Sequence, residues 1–554
     1  MIALTGNTLT IEQIVAVARA QTPVAALSAA VRDRMAASHR WVMDAITRRG
    51  QVIYGVNTGF GSLATRQISA AEARQLSRNV VVLCAVGVGE PLPADVVRAM
   101  MLIRANMLAK GHSGVRPAVA QTLIAMLNAG VTPRVPEKGS LGASGDLAPL
   151  AHIAAVLTRA EDEAADAFSG QAWYGGELLA GAEAMRRAGL ERLVLEAKEG
   201  LALTNGMDFM AAMGALALHD AESLLAQAQI AAALSLEGLQ GLSAAFDPDL
   251  HAVAGQPGQV KVAARLRELV AGSSLVDADP GRVQDAYSLR CTPQVLGPAL
   301  DVAAFVRERL TAALNAATDN PLIFPTGDGS FRALSGGNFH GQGPALWLDT
   351  LGIALAETAS IAERRIFRML TPELSGGLPA MLVPTSGLDS GLMMTQYTAA
   401  ALVSDNKTLA HPDSVDSIPS CANQEDHVSM GANAARHLAE ILDNVRHVLA
   451  IELLTACQAI DLRPDGPARL GGGTARAYAE IRRHAPMVVH DRATASDIAA
   501  LAALLRAGTL STPSRFSNFV VSTNRLNSRD AGRTRSVKGR PVRRLDAAGR
   551  CSRR

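Results

Sequence analysis

Aromatic side chains are scarce, with 11 Phe, 5 Tyr and 3 Trp in 554 residues. An interior with so few rings must be filled by Ala, Leu, Val, Ile and Met, which suits closely packed helices better than a β-sandwich. Cysteine is scarcer still. The 5 Cys stand at positions 84, 291, 421, 457 and 551, with no C-x-x-C pair and no zinc-ligand spacing, so neither a disulfide framework nor a metal site is expected. No apolar run reaches about 18 residues without a charge, and no membrane span is expected. The opening MIALTGNTLTIEQIV lacks the basic start and apolar stretch of a signal peptide. A soluble, cytoplasmic protein is the expectation.

The formal net charge is only +2, but it is unevenly placed. Residues 515–554 hold 12 Lys and Arg against 2 Asp and Glu, leaving 41 basic and 49 acidic side chains in the rest. A mildly acidic body gives no reason to expect a nucleic-acid partner. The segment 512–554 is polar, Arg-rich and without periodicity, and reads as a solvated, disordered tail.

What is abundant is apolar and helix-forming. Hydrophobic residues make up 48% of the chain and charged ones 19%, ample for a core and incompatible with global disorder. Residues 207–245 are rich in Ala and Leu and lack Pro until their end, and read as one long helix. Similar patterns cover about 294–317, 343–370, 388–410 and 428–460. Strand signals are few and short, Gln51–Tyr54 being one. The fold class read from this is all-α, with long helices side by side and function in the loops at their ends. Three parts are expected: a loop-rich N-terminal part over 1–200, a long-helix bundle with C-terminal helices over 201–511, and the tail 512–554.

One segment stands apart, Thr132-Pro-Arg-Val-Pro-Glu-Lys-Gly-Ser-Leu-Gly-Ala-Ser-Gly-Asp-Leu-Ala-Pro-Leu-Ala-His152. Glycines at this density usually mark a turn, and neither a P-loop Lys-Ser/Thr nor a dinucleotide fingerprint accompanies them. On spacing alone this is a tight loop before a helix that starts near Asp146. The full string, however, resembles the signature of the histidine and aromatic amino-acid ammonia-lyases, whose core is here Ala143-Ser144-Gly145 followed by Asp146.

Further motifs carry the resemblance over about residues 3–510. They are Tyr54-Gly-Val-Asn-Thr-Gly-Phe-Gly61, Leu203-Thr-Asn205-Gly, Gln284-Asp-Ala-Tyr287-Ser-Leu-Arg290, Ser335-Gly-Gly-Asn-Phe339-His340 and Ala422-Asn-Gln-Glu425-Asp-His427. The resemblance implies an elongated helical bundle and a homotetramer with shared active sites. It also implies a 4-methylideneimidazole-5-one (MIO) group that forms by itself from Ala143, Ser144 and Gly145. In that closure the Gly145 nitrogen attacks the Ala143 carbonyl, whose oxygen leaves as water, and Ser144 loses its hydroxyl as a second water to become an exocyclic methylene. The residue types suit it: Gly lets the backbone fold back, Ala is small, and Ser supplies a leaving hydroxyl.

The chemistry to be served is the loss of ammonia and a weakly acidic β-proton from an α-amino acid. By resemblance Tyr54 is the catalytic base, and Asn205 and Tyr287 hydrogen-bond the prosthetic group or the amine. Arg290, assisted by Gln284, grips the substrate carboxylate through a planar two-pronged donor. Phe339 packs against group and substrate. Asp146 reads as a helix N-terminal carboxylate that can also serve cyclisation.

Substrate choice rests on fewer residues. Glu425 stands where the phenylalanine and tyrosine enzymes tend to carry Gln, and a carboxylate suits an imidazole rather than a phenyl ring. The selectivity pair before the Ala-x-Gly-x-Gly turn is Leu83-Cys84, which matches none of the family's Ser-His, His-Leu or Phe-Leu pairs. Cys84 reads as a small buried hydrophobe and not a nucleophile. The expected reaction is L-histidine to urocanate. A lyase for another aromatic or modified imidazole amino acid, a 2,3-aminomutase, or a non-catalytic paralogue are the alternatives.

Overall fold

The structure, a computed structural model, describes residues 1–162 and 168–510. The tail expected over 512–554 lies outside the described residues. The N-terminal region is built from α1 (Ile11–Ala18), α2 (Ala29–Thr47), α3 (Ala73–Cys84), α4 (Ala94–Ala109), α5 (Pro117–Ala129), α6 (Leu147–Leu157), α7 (Gly181–Arg187) and α8 (Glu199–Thr204). Loops and short strand pairs separate these helices. From Asp208 the helices lengthen: α9 (Asp208–Gly238), α10 (Pro248–Ala254), α11 (Pro257–Leu269), α12 (Tyr287–Arg290), α13 (Thr292–Ala313), α14 (Gln342–Leu370), α15 (Met393–Leu409), α16 (Gly431–Asp461), α17 (Gly472–His484) and α18 (Ala495–Arg506).

The long helices α9, α13, α14, α15 and α16 pack side by side, with α14 and α9 both lying along α16. Helix α9 is buried around its circumference from Asp208 to Leu218, and α16 continuously from Val448 to Ile460. Ala and Leu permit this, because Ala loses no rotamer entropy and lets helix axes approach. At one crossing the approach is limited by glycine. A Cβ on Gly258 of α11 would lie 2.1 Å from the Gly297 carbonyl oxygen of α13, and one on Gly297 would lie 2.4 Å from the Gln259 nitrogen.

The largest buried charges where α9, α14 and α16 meet are paired. Arg365 of α14 reaches Glu452 of α16 at 2.5 Å, and Ser235 of α9 donates to the same carboxylate at 2.8 Å, so three helices share one satisfied cluster. Both charged side chains are fully buried. Helix α14 is long and apolar enough to cross a membrane by length and composition, the one such helix among the described residues. Half of that window is covered by the rest of the chain, as for a core helix.

Strands are confined to short pieces, among them Val88–Pro91 paired with Pro136–Lys138 and the hairpin Leu322–Pro325 with Phe331–Leu334. The strand expected over Gln51–Tyr54 is absent. Its polar backbone is satisfied locally instead: the Asn57 carboxamide accepts from Ile53 N–H at 2.8 Å and donates to the Gln51 carbonyl at 3.0 Å. An Asx-type side chain has taken the place of a ladder partner. The helix expected to run to 245 ends at Gly238, followed by a 3-10 turn over Ser243–Phe246.

Candidate active site

Helix α6 begins directly after Ala143-Ser144-Gly145-Asp146, and the link between α8 and α9 passes beside it. Gly145 has φ +75°, and a Cβ there would fall 2.1 Å from the Gly206 carbonyl oxygen, so only glycine fits. The two segments are stitched by Asp146 N–H donating to Gly206 O at 2.6 Å. Asn205 Nδ2 donates to the Ser144 carbonyl at 2.5 Å, while its Oδ1 is buried without a partner among the described residues.

Asp146 is completely buried. Its Oδ2 accepts from the backbone N–H groups of Phe209 and Met210 at the start of α9, and its Oδ1 accepts from Ser140 Oγ at 3.0 Å. Burial pushes this carboxyl up to about 7, against the pull of those donors. The Asp146 side chain thus binds the N-terminus of α9 and, against the expectation from sequence, makes no capping hydrogen bond to α6, the helix it precedes.

Above this floor lies a cavity of roughly 630 Å³ lined by Tyr54, Leu83, Cys84, Ala143, Ser144, Asn205, Phe339 and Glu425. Eight residues singled out from sequence, up to 371 positions apart, therefore converge on one space. Gly61 N–H donates to the Tyr54 phenol oxygen at 3.0 Å, holding the ring on its turn and aiming a partial positive charge at that oxygen. Ser144 Oγ donates to Glu425 Oε1 at 2.5 Å, and Ser420 Oγ to Oε2 at 2.7 Å. Burial, and next the charge of Glu425, raise the Cys84 thiol to about 11. A thiol kept neutral in this way is a wall and no nucleophile.

Gln284, Tyr287 and Arg290 do not reach this cavity. Gln284 and Tyr287 are exposed, Tyr287 at 70%. Arg290 stacks on the Tyr287 ring, its guanidinium carbon 4.6 Å from the ring centre. Its Nε is buried without a partner, and no carboxylate among the described residues pairs with it. That leaves a planar donor free for a carboxylate from outside the chain.

Sequence reading passed over several cavity residues. His340 and His427 stack nearly parallel at 5.8 Å on its wall, and Leu63 and Cys421 also line it. Both histidines lie inside motifs quoted above, yet nothing in a linear pattern says that residues 87 apart will touch. The segment Cys421–Asn423 carries three successive positive φ values without a glycine, and no local sequence signal announces such backbone strain.

The model of the family described as "Aromatic amino acid lyase" matches residues 9–483. The chain belongs to the aromatic amino acid lyase family. It is 50% identical over 497 residues to the histidine ammonia-lyase of Treponema denticola, covering 90% of this chain and 95% of that protein. The histidine ammonia-lyase structure from Trypanosoma cruzi matches with a TM-score of 0.82 and 39% identity, covering 92% of this chain and 94% of that one. The tyrosine aminomutase of Streptomyces globisporus matches with a TM-score of 0.85 and 36% identity, covering 92% and 97%. Membership in this lyase family makes the all-α reading and the carbon–nitrogen lyase class findings about the chain, and matches of this length exclude a likeness limited to one motif.

Proposed function

We propose that the protein removes ammonia from L-histidine to give urocanate. The observation that carries this reading is the position of Glu425, directly over Ser144 on the cavity wall. A carboxylate there can hold an imidazole and would be a cost without return beside a phenyl ring. About 50% identity to histidine ammonia-lyases over nearly the whole chain supports it.

The residues present fit an MIO group. Gly145 lies where a Cβ is forbidden, Ala143 sits in a small pocket with Val428 and Met430, and the carboxamide of Asn205 is seated on the Ser144 carbonyl. When formed, the group supplies an electrophile that makes the amine a better leaving group. The chain's own residues do the rest. Tyr54 takes the β-proton, with the Gly61 N–H bearing on its oxygen as charge grows there. Asn205 withdraws electron density through the Ser144 carbonyl. Loss of the Ser144 hydroxyl on cyclisation removes the donor now on Glu425 Oε1, which frees that oxygen for the substrate ring. Leu83, Cys84 and Phe339 bound the space.

We read the carboxylate grip of Arg290 with Gln284, and the Tyr287 hydroxyl that meets the group or the amine, as coming from another copy of the chain. We therefore read the enzyme as a homotetramer with shared sites, in the cytoplasm. The exposure of the apolar Leu83, Val86 and Val88 beside the cavity, and of Val283 beside Gln284, supports this reading.

The test is ammonia release and ultraviolet product spectra on L-histidine, L-phenylalanine and L-tyrosine, with the intact mass measured alongside. Urocanate from histidine, from protein lighter by two waters, is the expected result. Silence on histidine from protein of that lighter mass would overturn the substrate, and a β-amino acid product would mark an aminomutase.

A further inference from the structure

Arg104 lies on α4, outside the cavity, with its side chain only 1% exposed. We propose that Arg104 is a positioning residue that aims Asn205 at the Ala143-Ser144-Gly145 turn. The argument starts from the shortness of α8. A helix of six residues ends with carbonyls that have no intrahelical partner, and these ends need caps. Arg104 Nη1 donates to the carbonyl oxygens of Ala202 at 2.8 Å and Asn205 at 2.9 Å. Its Nη2 donates to Asp208 Oδ2 at 2.5 Å, on the first residue of α9. One planar guanidinium thus closes the end of α8, the Asn205-Gly206 link and the start of α9.

The link it holds is the one that touches the triad. Gly206 has φ +153°, and a Cβ on it would lie 2.6 Å from Arg104 Nη2, so the link is packed directly on the guanidinium. On its other side Gly206 O accepts from Asp146 N–H, and Asn205 Nδ2 meets the Ser144 carbonyl. Asn205 Oδ1 has no partner of its own among the described residues. The direction of that side chain is therefore set by its one contact with the Ser144 carbonyl and by its backbone, which Arg104 braces. A second buried pair, Lys198 with Asp319 at 2.5 Å, balances the charge of the region and leaves Arg104 and Asp208 matched to each other.

Lysine in place of Arg104 would keep the charge for Asp208 but lose the fork that spans two carbonyls and a carboxylate. The inference rests on the lyase reading for its kinetic arm, so the experiment has an arm that needs no turnover. In the full-length protein, Arg104→Lys and Arg104→Met are compared with wild type by amide hydrogen exchange without substrate. The amides of Asp146, Phe209 and Met210 should exchange at least about tenfold faster, with those inside α13 and α14 unchanged. Intact mass should show a fraction of chains that keep their two waters.

In turnover, kcat should fall at least about tenfold with KM within roughly threefold, as expected for a misplaced catalytic group. In an Asn205→Ala background the same Arg104→Lys change should cost less than about a further twofold. Unchanged exchange at those three amides, or kcat losses that simply multiply in the double variant, would overturn the proposal. Should Arg104→Met fail to fold, the Arg104→Lys arm decides alone. A wild type silent on every amino acid would sink the lyase reading while the exchange result still judged Arg104.

Discussion

Asp146 has two jobs that its neighbours make visible: it caps the start of α9, and it is buried beside the reactive turn. Its carboxyl holds a proton up to about pH 7 in the fold, against 3.8 for a free side chain. Between those values the native state binds more protons than the unfolded one, so this residue's contribution to stability is full below pH 3.8 and is lost as pH rises towards 7. Asp146→Asn removes that dependence. The new amide oxygen can still accept from Phe209 and Met210, and the new NH₂ can donate to Ser140. As pH rises from about 4 to about 7, the unfolding temperature of the Asp146→Asn variant should gain on that of the wild type, and parallel curves would refute the assignment. Cys84 is the second residue-scale question. Its neutral thiol offers an imidazole almost nothing, so Cys84→His should lower KM for histidine roughly tenfold, about one hydrogen bond's worth. An unchanged KM would show that Glu425 alone holds the ring.

At the scale of elements, the helices expected from composition are all present, though α9 stops seven residues before the expected 245 and α15 starts five after the expected 388, because long Ala- and Leu-rich runs encode helix locally but not its ends. Their crossings are not encoded that way. The α11–α13 contact depends on Gly258 and Gly297, neither of which stands out among 48 glycines in the sequence. Gly297→Ala should force the two helices apart and cost about 1–3 kcal/mol, read as a lower unfolding temperature. The cluster of Arg365, Glu452 and Ser235 is a stronger lock. Arg365→Met leaves a buried carboxylate unpaired, and a loss of about 3–5 kcal/mol in denaturant unfolding is expected. The missed case, Gln51–Tyr54, follows the same logic in reverse. A short strand signal of four residues was outweighed by one Asn whose side chain satisfied the backbone first.

For the whole molecule, the division of the site residues is the informative feature. Tyr54, Leu83, Cys84, Ala143, Ser144, Asn205, Phe339 and Glu425 share a cavity within one chain, while Gln284, Tyr287 and Arg290 stand away from it. If neighbouring copies complete each site, two inactive chains can repair one another. Ser144→Ala and Arg290→Met homo-oligomers should each lose turnover by at least about a hundredfold. Mixing them after partial dissociation should restore activity, because some sites then combine an intact turn with an intact Arg290. No recovery in demonstrated mixed oligomers would count against shared sites.

Much of this protein is determined by its sequence alone: helical class from the lack of aromatics and the Ala-rich runs, and lyase class from the Ala143-Ser144-Gly145-Asp146 signature and the motifs that accompany it. Local patterns suffice there because helix propensity and a contiguous motif are both short-range. Only the tertiary structure decided that Asp146 is buried under α9, that Glu425 stands over Ser144 from 281 residues away, and that Arg104 braces the Asn205 link. Those contacts depend on which helix faces meet. Packing and desolvation act between segments that carry no trace of one another in the chain.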